Sequence, residues 1–503
     1  MLILIAGLPG TGKSRLAREL ASHTGAAHIS SDMIRKELLK ERTYSEEEKA
    51  FIYGEMVSRV SKALSEGRSV IADATFYKES LRKKMKEAAE NAGTDFFIVE
   101  CTLPEEKVKE RLSGKRGGGS EAKFAEYLIV KKAFEPFTGE RITIDTSLPV
   151  EQSIQTILRS ISGIAPLIPE LQSPSSYPHP VPGFQHPAHP AQSPSSGIKL
   201  LQTHISWVFL TGEYAYKIKK PVKFSFLDFS TREKRRFYCE EEVRLNRRLC
   251  PEVYLGVVPI AMNAHPSFGG PGFPIDYAIK MKQLPYEKMM SYMLVKGQVT
   301  EAHIRSIAKI ISDFHSRIEV IHDTKYNSPE MTAEQFADLG GVRETAEKAS
   351  GMGGKIDFIL EKAGEFVRKN RSLFTGRQRD SFIRDCHGDL HSGNIFLTEP
   401  IAIFDCVEFN KSFRYTDTSA DIGFMAMDLD AYGRKDFSHL FISEYLRLSK
   451  DEGMSSLLDY YKCYRANVRA KIACHTYSQH PSNEEKRKIE KYLLLAEEYA
   501  RNL

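Results

Sequence analysis

The sequence predicts two domains of different class: an α/β domain built on a parallel sheet with flanking helices, then a two-lobed α+β domain. Three observations predict it. Residues 2–6 form a continuous apolar run that leads directly into Gly7–Ser14, GLPGTGKS, as a buried parallel strand leads into a tight turn. Around residues 162–196 the composition shifts to Pro, Ser and His with no period. Residues 386–409, CHGDLHSGNIFLTEPIAIFDCVEF, then place His387, Asp389 and Asn394 ahead of an apolar run that ends at Asp405.

The N-terminal stretch fits G-x-x-x-x-G-K-[ST]. Gly7, Gly10, Thr11 and Gly12 let backbone N–H groups wrap phosphates, Lys13 neutralises their charge, and the Ser14 hydroxyl can ligate magnesium. A helix over about residues 13–22 points its positive end at the same anion. Residues 27–32 predict a second strand ending at Asp32, followed by Arg35, and 69–76 a third with Asp73 at its carboxyl end. In open α/β sheets ligands sit beyond those ends. Asp73 can serve magnesium or a substrate hydroxyl, with Asp32 and Arg35 as weaker substrate candidates. Helix-capping aspartates are the plain alternative for both acids. Further strands are expected at 95–101 and 141–145. The helix between them carries Arg111 and leads to a Gly-rich basic turn with Arg116, which suits a lid over phosphates. Residues 1–160 resemble the P-loop kinase group of polynucleotide, gluconate and adenylate kinase-like proteins, domains often labelled AAA-type. That resemblance implies ATP and Mg2+. The guanine-reading N-K-x-D motif and an arginine-finger ring signature are absent.

The domains expected are 1–161, a linker at 162–197, and 198–503, the last with a first lobe at 198–281 and a helical lobe at 286–503. Proline fixes φ and removes donors, so the linker reads as an extended tether. His179, His186 and His189 read as linker composition rather than metal ligands.

In the second domain H-x-D-x-x-x-x-N matches the catalytic-loop spacing of protein-kinase-like enzymes. Asp389 suits a carboxylate that orients an attacking hydroxyl. Asn394 and Asp405 would be magnesium ligands, brought together by a hairpin through LTEP. A second hairpin, 204–211 and 214–220 around Gly212-Glu213, puts Ala215, Lys217 and Lys219 on one face. Lys217 is the candidate phosphate lysine, Lys219 its reserve, and Glu242 on the following helix the best candidate partner, with a solvated strand face as the plain alternative for the lysines. HGD and D-C-V-E resemble the aminoglycoside phosphotransferase branch over residues 200–480. The resemblance implies a two-lobed ATP-dependent fold, with the turn at Thr211 and Gly212 covering phosphates and a hinge at Lys282–Pro285. It also implies that Asp421 and His387 brace the catalytic loop. His315 reads as a packing residue on an apolar helix stripe.

Composition bounds the rest. A net charge of +5 over 503 residues does not favour a nucleic-acid binder. Seven scattered cysteines without C-x-x-C suggest neither disulfides nor zinc. No run approaches the ~20 apolar residues of a membrane span, and the opening MLILIAG is too short for a signal. The expectation is a cytoplasmic, bifunctional Mg-ATP-dependent phosphotransferase acting on small hydroxyl acceptors, with no obligate protein partner inferable. The alternatives are an ATP-binding regulatory module without transfer, or a nucleic-acid end kinase through the first domain.

Overall fold

The computed structural model describes residues 1–39, 45–113, 120–178, 197–263, 265–337 and 339–503. By contacts the chain divides into two compact units, residues 1–200 with 258–278, and 201–257 with 279–503.

The first unit begins β1 (Leu2–Ala6), α1 (Lys13–Thr24), β2 (Ala27–Ser30), α2 (Ser31–Leu38), α3 (Glu46–Ser65) and β3 (Val70–Asp73). It continues α4 (Glu79–Asn91), β4 (Phe96–Thr102), α5 (Glu105–Ser113), α6 (Ser120–Ala133), β5 (Ile142–Asp145) and α7 (Val150–Ile161). The five strands are all parallel in the order β2-β3-β1-β4-β5. β1 is central, and its five apolar residues are fully buried, as a strand covered on both faces requires. The register sets Asp73 opposite both Ile5 and Ser30, so the acid stands beside the loop that leaves β1. Asp32 corrects the expected strand end. The second strand stops at Ser30, and Asp32 lies in the first turn of α2, where an acid favours the helix dipole.

Residues 162–178 also depart from the expected extended tether. Ala165–Leu167, Glu170–Gln172 and Pro174–Ser176 form single helical turns. Ile164, Leu167, Leu171 and Tyr177 are buried there, and Tyr177 donates to the Leu171 carbonyl at 2.7 Å. Those apolar side chains supply the burial that the Pro-rich composition alone hides. His179, His186 and His189 lie outside the described residues.

The second unit opens with β6 (Lys199–Gln202), β7 (Ser206–Leu210) and β8 (Tyr214–Lys219), followed by a small ladder of β9 (Lys223–Phe224) and β10 (Leu227–Asp228). In chain order there follow α8 (Arg232–Asn246), β11 (Tyr254–Met262), β12 (Pro266–Phe268) and β13 (Phe273–Lys282), with β12 wholly in the first unit. The sheet order is β12-β11-β13-β8-β7-β6, and residues 258–278 group with the first unit. β7 and β8 pair antiparallel, with Val208 opposite Lys217. After β13 the chain is mainly helical. α9 (Met290–Val295) and α10 (Glu301–Arg317) pack Ile304, Ile307, Ala308 and Ile311 against Leu390, Ile395, Ile403, Ile422 and Met425. This apolar cluster anchors the loop that carries Asp389. Among the described residues no helix is long and apolar enough to cross a membrane.

Candidate functional site

In the first unit the chain turns from β1 into α1 through glycines that no other residue replaces easily. Gly7 has φ 144°, and a Cβ there would stand 2.6 Å from the Cys101 carbonyl oxygen. Gly12 caps α1 at φ 89°, and its Cβ would meet Arg111 Nη1 at 3.1 Å. The backbone therefore forms a tight cradle at a helix N-terminus. Lys13 Nζ donates to the Leu8 carbonyl at 2.9 Å, and Thr11 Oγ1 to the same oxygen at 2.8 Å. Burial draws the Lys13 pKa below its ordinary value, while Asp73, Cys101 and Asp32 oppose the fall. Ser14 follows, half-buried in the first turn of α1.

Asp73 is buried at the end of β3. Ser30 Oγ donates to its Oδ2 at 3.3 Å, and His28 Nε2 lies 3.7 Å from that oxygen. Its Oδ1 and His28 Nε2 have no hydrogen-bond partner, which is a costly state for buried polar atoms unless something else fills the site. Arg35 is committed elsewhere. Its Nε donates to Glu48 at 2.7 Å and its Nη1 to Asp32 at 3.1 Å, with Asp32 itself exposed. Arg111, in the last turn of α5, donates to the Thr146 carbonyl at 2.8 Å. Thr146 Oγ1 in turn donates to the Thr11 carbonyl at 2.6 Å. A cavity of about 300 Å³ adjoins this chain, lined by Gly12, Arg15, Leu16, Arg111, Thr146 and Leu148 among others. Thr146 carried no sequence signal beyond its place after a strand. Arg116 lies outside the described residues.

The second unit brings its predicted residues together from four elements. Lys217 on β8 donates to Glu242 Oε1 at 2.9 Å and to Asp405 Oδ1 at 2.6 Å. Lys219, two residues on and on the same face, donates to Glu242 Oε2 at 2.7 Å and to Glu408. Glu242 is 0% exposed and Lys219 1%, whereas Lys217 retains access. Burial pushes the Glu242 carboxyl up, but the two ammonium groups outweigh it and hold it ionised. Burial beside Glu242 raises Glu408. Glu408 was not singled out from sequence, although it lies in the D-C-V-E stretch. Asn246 is another omission. Its Oδ1 accepts from Cys406 N at 2.9 Å, and its Nδ2 donates to the Glu242 carbonyl at 2.8 Å.

Asp389 keeps 39% of its side chain exposed. Asn394 Nδ2 donates to Asp389 Oδ2 at 3.0 Å, and the Asn394 carbonyl accepts from Phe404 N at 3.0 Å. The hairpin of Ile395–Phe396 with Ala402–Ile403 thus sets Asn394 beside the segment that holds Asp405. Asp405 has φ 64°, a strained conformation for a non-glycine residue. Burial raises the Asp389 carboxyl, yet His391, His387 and Arg465 outweigh it and keep it well below the usual range. Asp421 accepts from His387 N at 2.8 Å and Gly388 N at 2.9 Å, with His315 Nε2 at 3.3 Å. Against burial, those neighbours pull Asp421 down to about 2. His387 Nδ1 accepts from Asp389 N at 3.2 Å, so its Nε2 carries the proton and donates to the Phe404 carbonyl at 3.0 Å. Burial lowers its pKa, which keeps the ring neutral. His315 is satisfied by Tyr445 and Asp421, as a packing residue should be. The turn at Thr211 and Gly212 is tied to Gln283, the residue after β13. Gly212 N donates to Gln283 Oε1 at 2.9 Å, and Gln283 N to the Glu213 carbonyl at 2.9 Å.

Against known proteins, residues 2–137 match the family described as an AAA domain. Uncharacterized proteins of Mycobacterium tuberculosis and Mycobacterium bovis are 36% identical over 296 residues, 58% of this chain and 57% of theirs. The chain therefore spans little more than half the length of the curated relatives it matches. Among solved structures, a sugar kinase from Janibacter is 20% identical over 33% of this chain and 95% of its own, with a TM-score of 0.28. The Mycobacterium tuberculosis APS kinase with AMPPNP and APS is 19% identical over 31% and 95%, with a TM-score of 0.27. A gluconokinase from Sinorhizobium meliloti is 18% identical over 31% and 86%, with a TM-score of 0.24. Residues 2–137, which contain the glycine-lysine turn between β1 and α1, are similar to an AAA domain.

Proposed function

We propose that the protein is a bifunctional ATP-dependent phosphotransferase. In this reading a P-loop kinase-like domain at 1–161 is joined through 162–197 to an aminoglycoside phosphotransferase-like domain at 198–503. Both domains transfer the γ-phosphoryl group of ATP to hydroxyls of small polar acceptors. The observation that carries the reading is the cluster in which Lys217 bridges Glu242 and Asp405 while Asn394 holds Asp389. A buried glutamate that fixes a lysine beside an accessible carboxylate is what phosphate positioning requires. In the first domain the support is the glycine cradle at a helix N-terminus and the unpartnered Asp73 oxygen.

The residues present fit Mg2+ and ATP. Ser14 would hold the ion in the first domain, and Asn394 with Asp405 in the second. When bound, magnesium supplies charge neutralisation on the phosphate oxygens. The protein's own part is positioning. Lys13 and Lys217 bring positive charge to the phosphates, and Arg111 stands at the side of the first cradle. Asp389 and Asp73 accept hydrogen bonds from acceptor hydroxyls and orient them. Asp389 is a weak base at its depressed pKa, so it directs the O–H and takes the proton late. His387 and Asp421 act through the loop backbone and touch no substrate.

The test is phosphoryl transfer by the full chain to a metabolite pool, read by mass spectrometry. Asp389→Ala should remove one set of phosphorylated products and Lys13→Ala another. ATP hydrolysis without any phosphorylated product would favour the regulatory reading instead. Labelling of oligonucleotide ends that depends on Lys13 would favour a nucleic-acid end kinase.

A further inference from the structure

Among the described residues, one cation whose charge is felt at Asp389 forms no ion pair. Arg465 on helix Leu458–Gln479 is 6% exposed, its Nε has no hydrogen-bond partner, and it forms no ion pair among the described residues. Its guanidinium lies 4.8 Å from the Phe424 ring and 5.3 Å from the Tyr464 ring. The other side of this stack leads to the catalytic loop. The His391 ring is 5.3 Å from Phe424, and His391 Nε2 is 3.5 Å from Asp389 Oδ2. Two aromatic faces offset part of the desolvation of a guanidinium but satisfy none of its donors. Among the described residues no carboxylate pairs with it, and its charge reaches Asp389 only through space, where it helps hold that carboxyl low.

Its neighbours do not supply the missing anion. Asp428 is occupied by Ser392, whose N and Oγ donate at 2.9 and 2.5 Å. Asp430 pairs with Lys462 at 2.7 Å and accepts from Tyr499 at 2.6 Å. Arg469, one turn along the same helix face, adds a second guanidinium. Burial draws its pKa down, but Tyr492, Asp428 and Asp389 together keep it raised. The nucleotide side of Asp389 is already defined by Asn394, Asp405 and Lys217, and this pair of arginines comes from a different element.

We propose that Arg465, supported by Arg469, is an oxyanion receptor on the acceptor side of Asp389. The hydroxyl compound phosphorylated in the second domain then carries a phosphate or carboxylate group of its own. The inference rests on the phosphotransferase reading and narrows its substrate class. A planar guanidinium fork matches either oxyanion through two parallel N–H···O bonds. A polycationic acceptor such as an aminoglycoside would meet like charge here.

The experiment uses the full chain with Lys13→Ala, which removes the phosphate lysine of the first domain, under saturating Mg-ADP. Binding of inorganic phosphate and, separately, acetate is measured by equilibrium dialysis. Arg465→Met should weaken binding of one of the two at least tenfold, and Arg465→Lys should restore part of it. Asp389→Asn should tighten the same binding by removing a repelling charge, which a merely structural role for Arg465 does not predict. Preference for phosphate or for acetate identifies the group. Anion binding that is indifferent to Arg465 in both Met and Lys variants overturns the receptor. If Asp389-dependent transfer persists in that case, the kinase reading stands alone. Arg465-dependent anion binding with no Asp389-dependent transfer to any acceptor retains the receptor and removes the kinase reading.

Discussion

Lys217 Nζ lies 2.6 Å from Asp405 Oδ1, so a cation from the sheet and an acid from the strained turn after Ile403 neutralise one another. The same ammonium holds Glu242, and the same glutamate holds Lys219. The two lysines therefore share an anchor but differ in what they face, and the difference is measurable.

Lys217→Met should abolish transfer by the second domain with a modest loss of stability, because Lys219 still neutralises Glu242. Lys219→Met should do the reverse. It leaves Glu242 and Glu408 buried with one cation fewer, at a cost of about 3 kcal/mol. Urea unfolding of both variants, alongside turnover, checks the contrast.

Asp389→Asn should lower kcat about 10²- to 10⁴-fold, the range for a lost proton-orienting group, with little change in ATP affinity. The amide still meets Asn394, so the loop should keep its shape. Steady-state kinetics in the Lys13→Ala background isolate the effect.

Asp421 sets an acid limit. Its folded pKa, about 2, lies below the ordinary carboxyl value, so its contribution is present above about pH 4 and is lost as pH falls through 2. The size is about 2 kcal/mol from the shift alone. Asp421→Asn should be less stable than the parent at pH 7, and the gap should close as pH approaches 2. Thermal melts of both proteins across that range read it directly.

Thr146→Val should weaken nucleotide binding in the first domain about fivefold, the worth of one hydrogen bond, through release of the Thr11 carbonyl, while Arg111 keeps its bond to the backbone carbonyl of residue 146. Gly12→Ala should cost more, since it adds strain at φ 89° to a close approach to Arg111. Titration with a fluorescent ATP analogue in the Lys217→Met background measures both.

What could be read from sequence was what lies close together along the chain. The strand, glycine turn and helix of residues 2–24 are contiguous, and so are His387, Asp389, Asn394 and Asp405. Glu242 could be named because kinase-like spacing fixed its partner, though three adjacent glutamates had to be separated by helix geometry. Glu408 was missed because its place depends on the left-handed turn at Asp405, which no local pattern announces. Asn246 sits four residues after Glu242 on one helix face, a usable signal that went unread. The Arg35 pairing with Glu48 could not be read locally because Glu48 lies on the next helix. Residues 162–178 read as open chain because proline content masked the few apolar side chains that bury them.

Gln283 grips both ends of one short turn, with its side chain on Gly212 and its backbone on Glu213. The tip that would cap a triphosphate and the connector that would meet a purine are therefore riveted together. A shift of either segment is delivered mechanically to the other through these two hydrogen bonds, so neither moves alone.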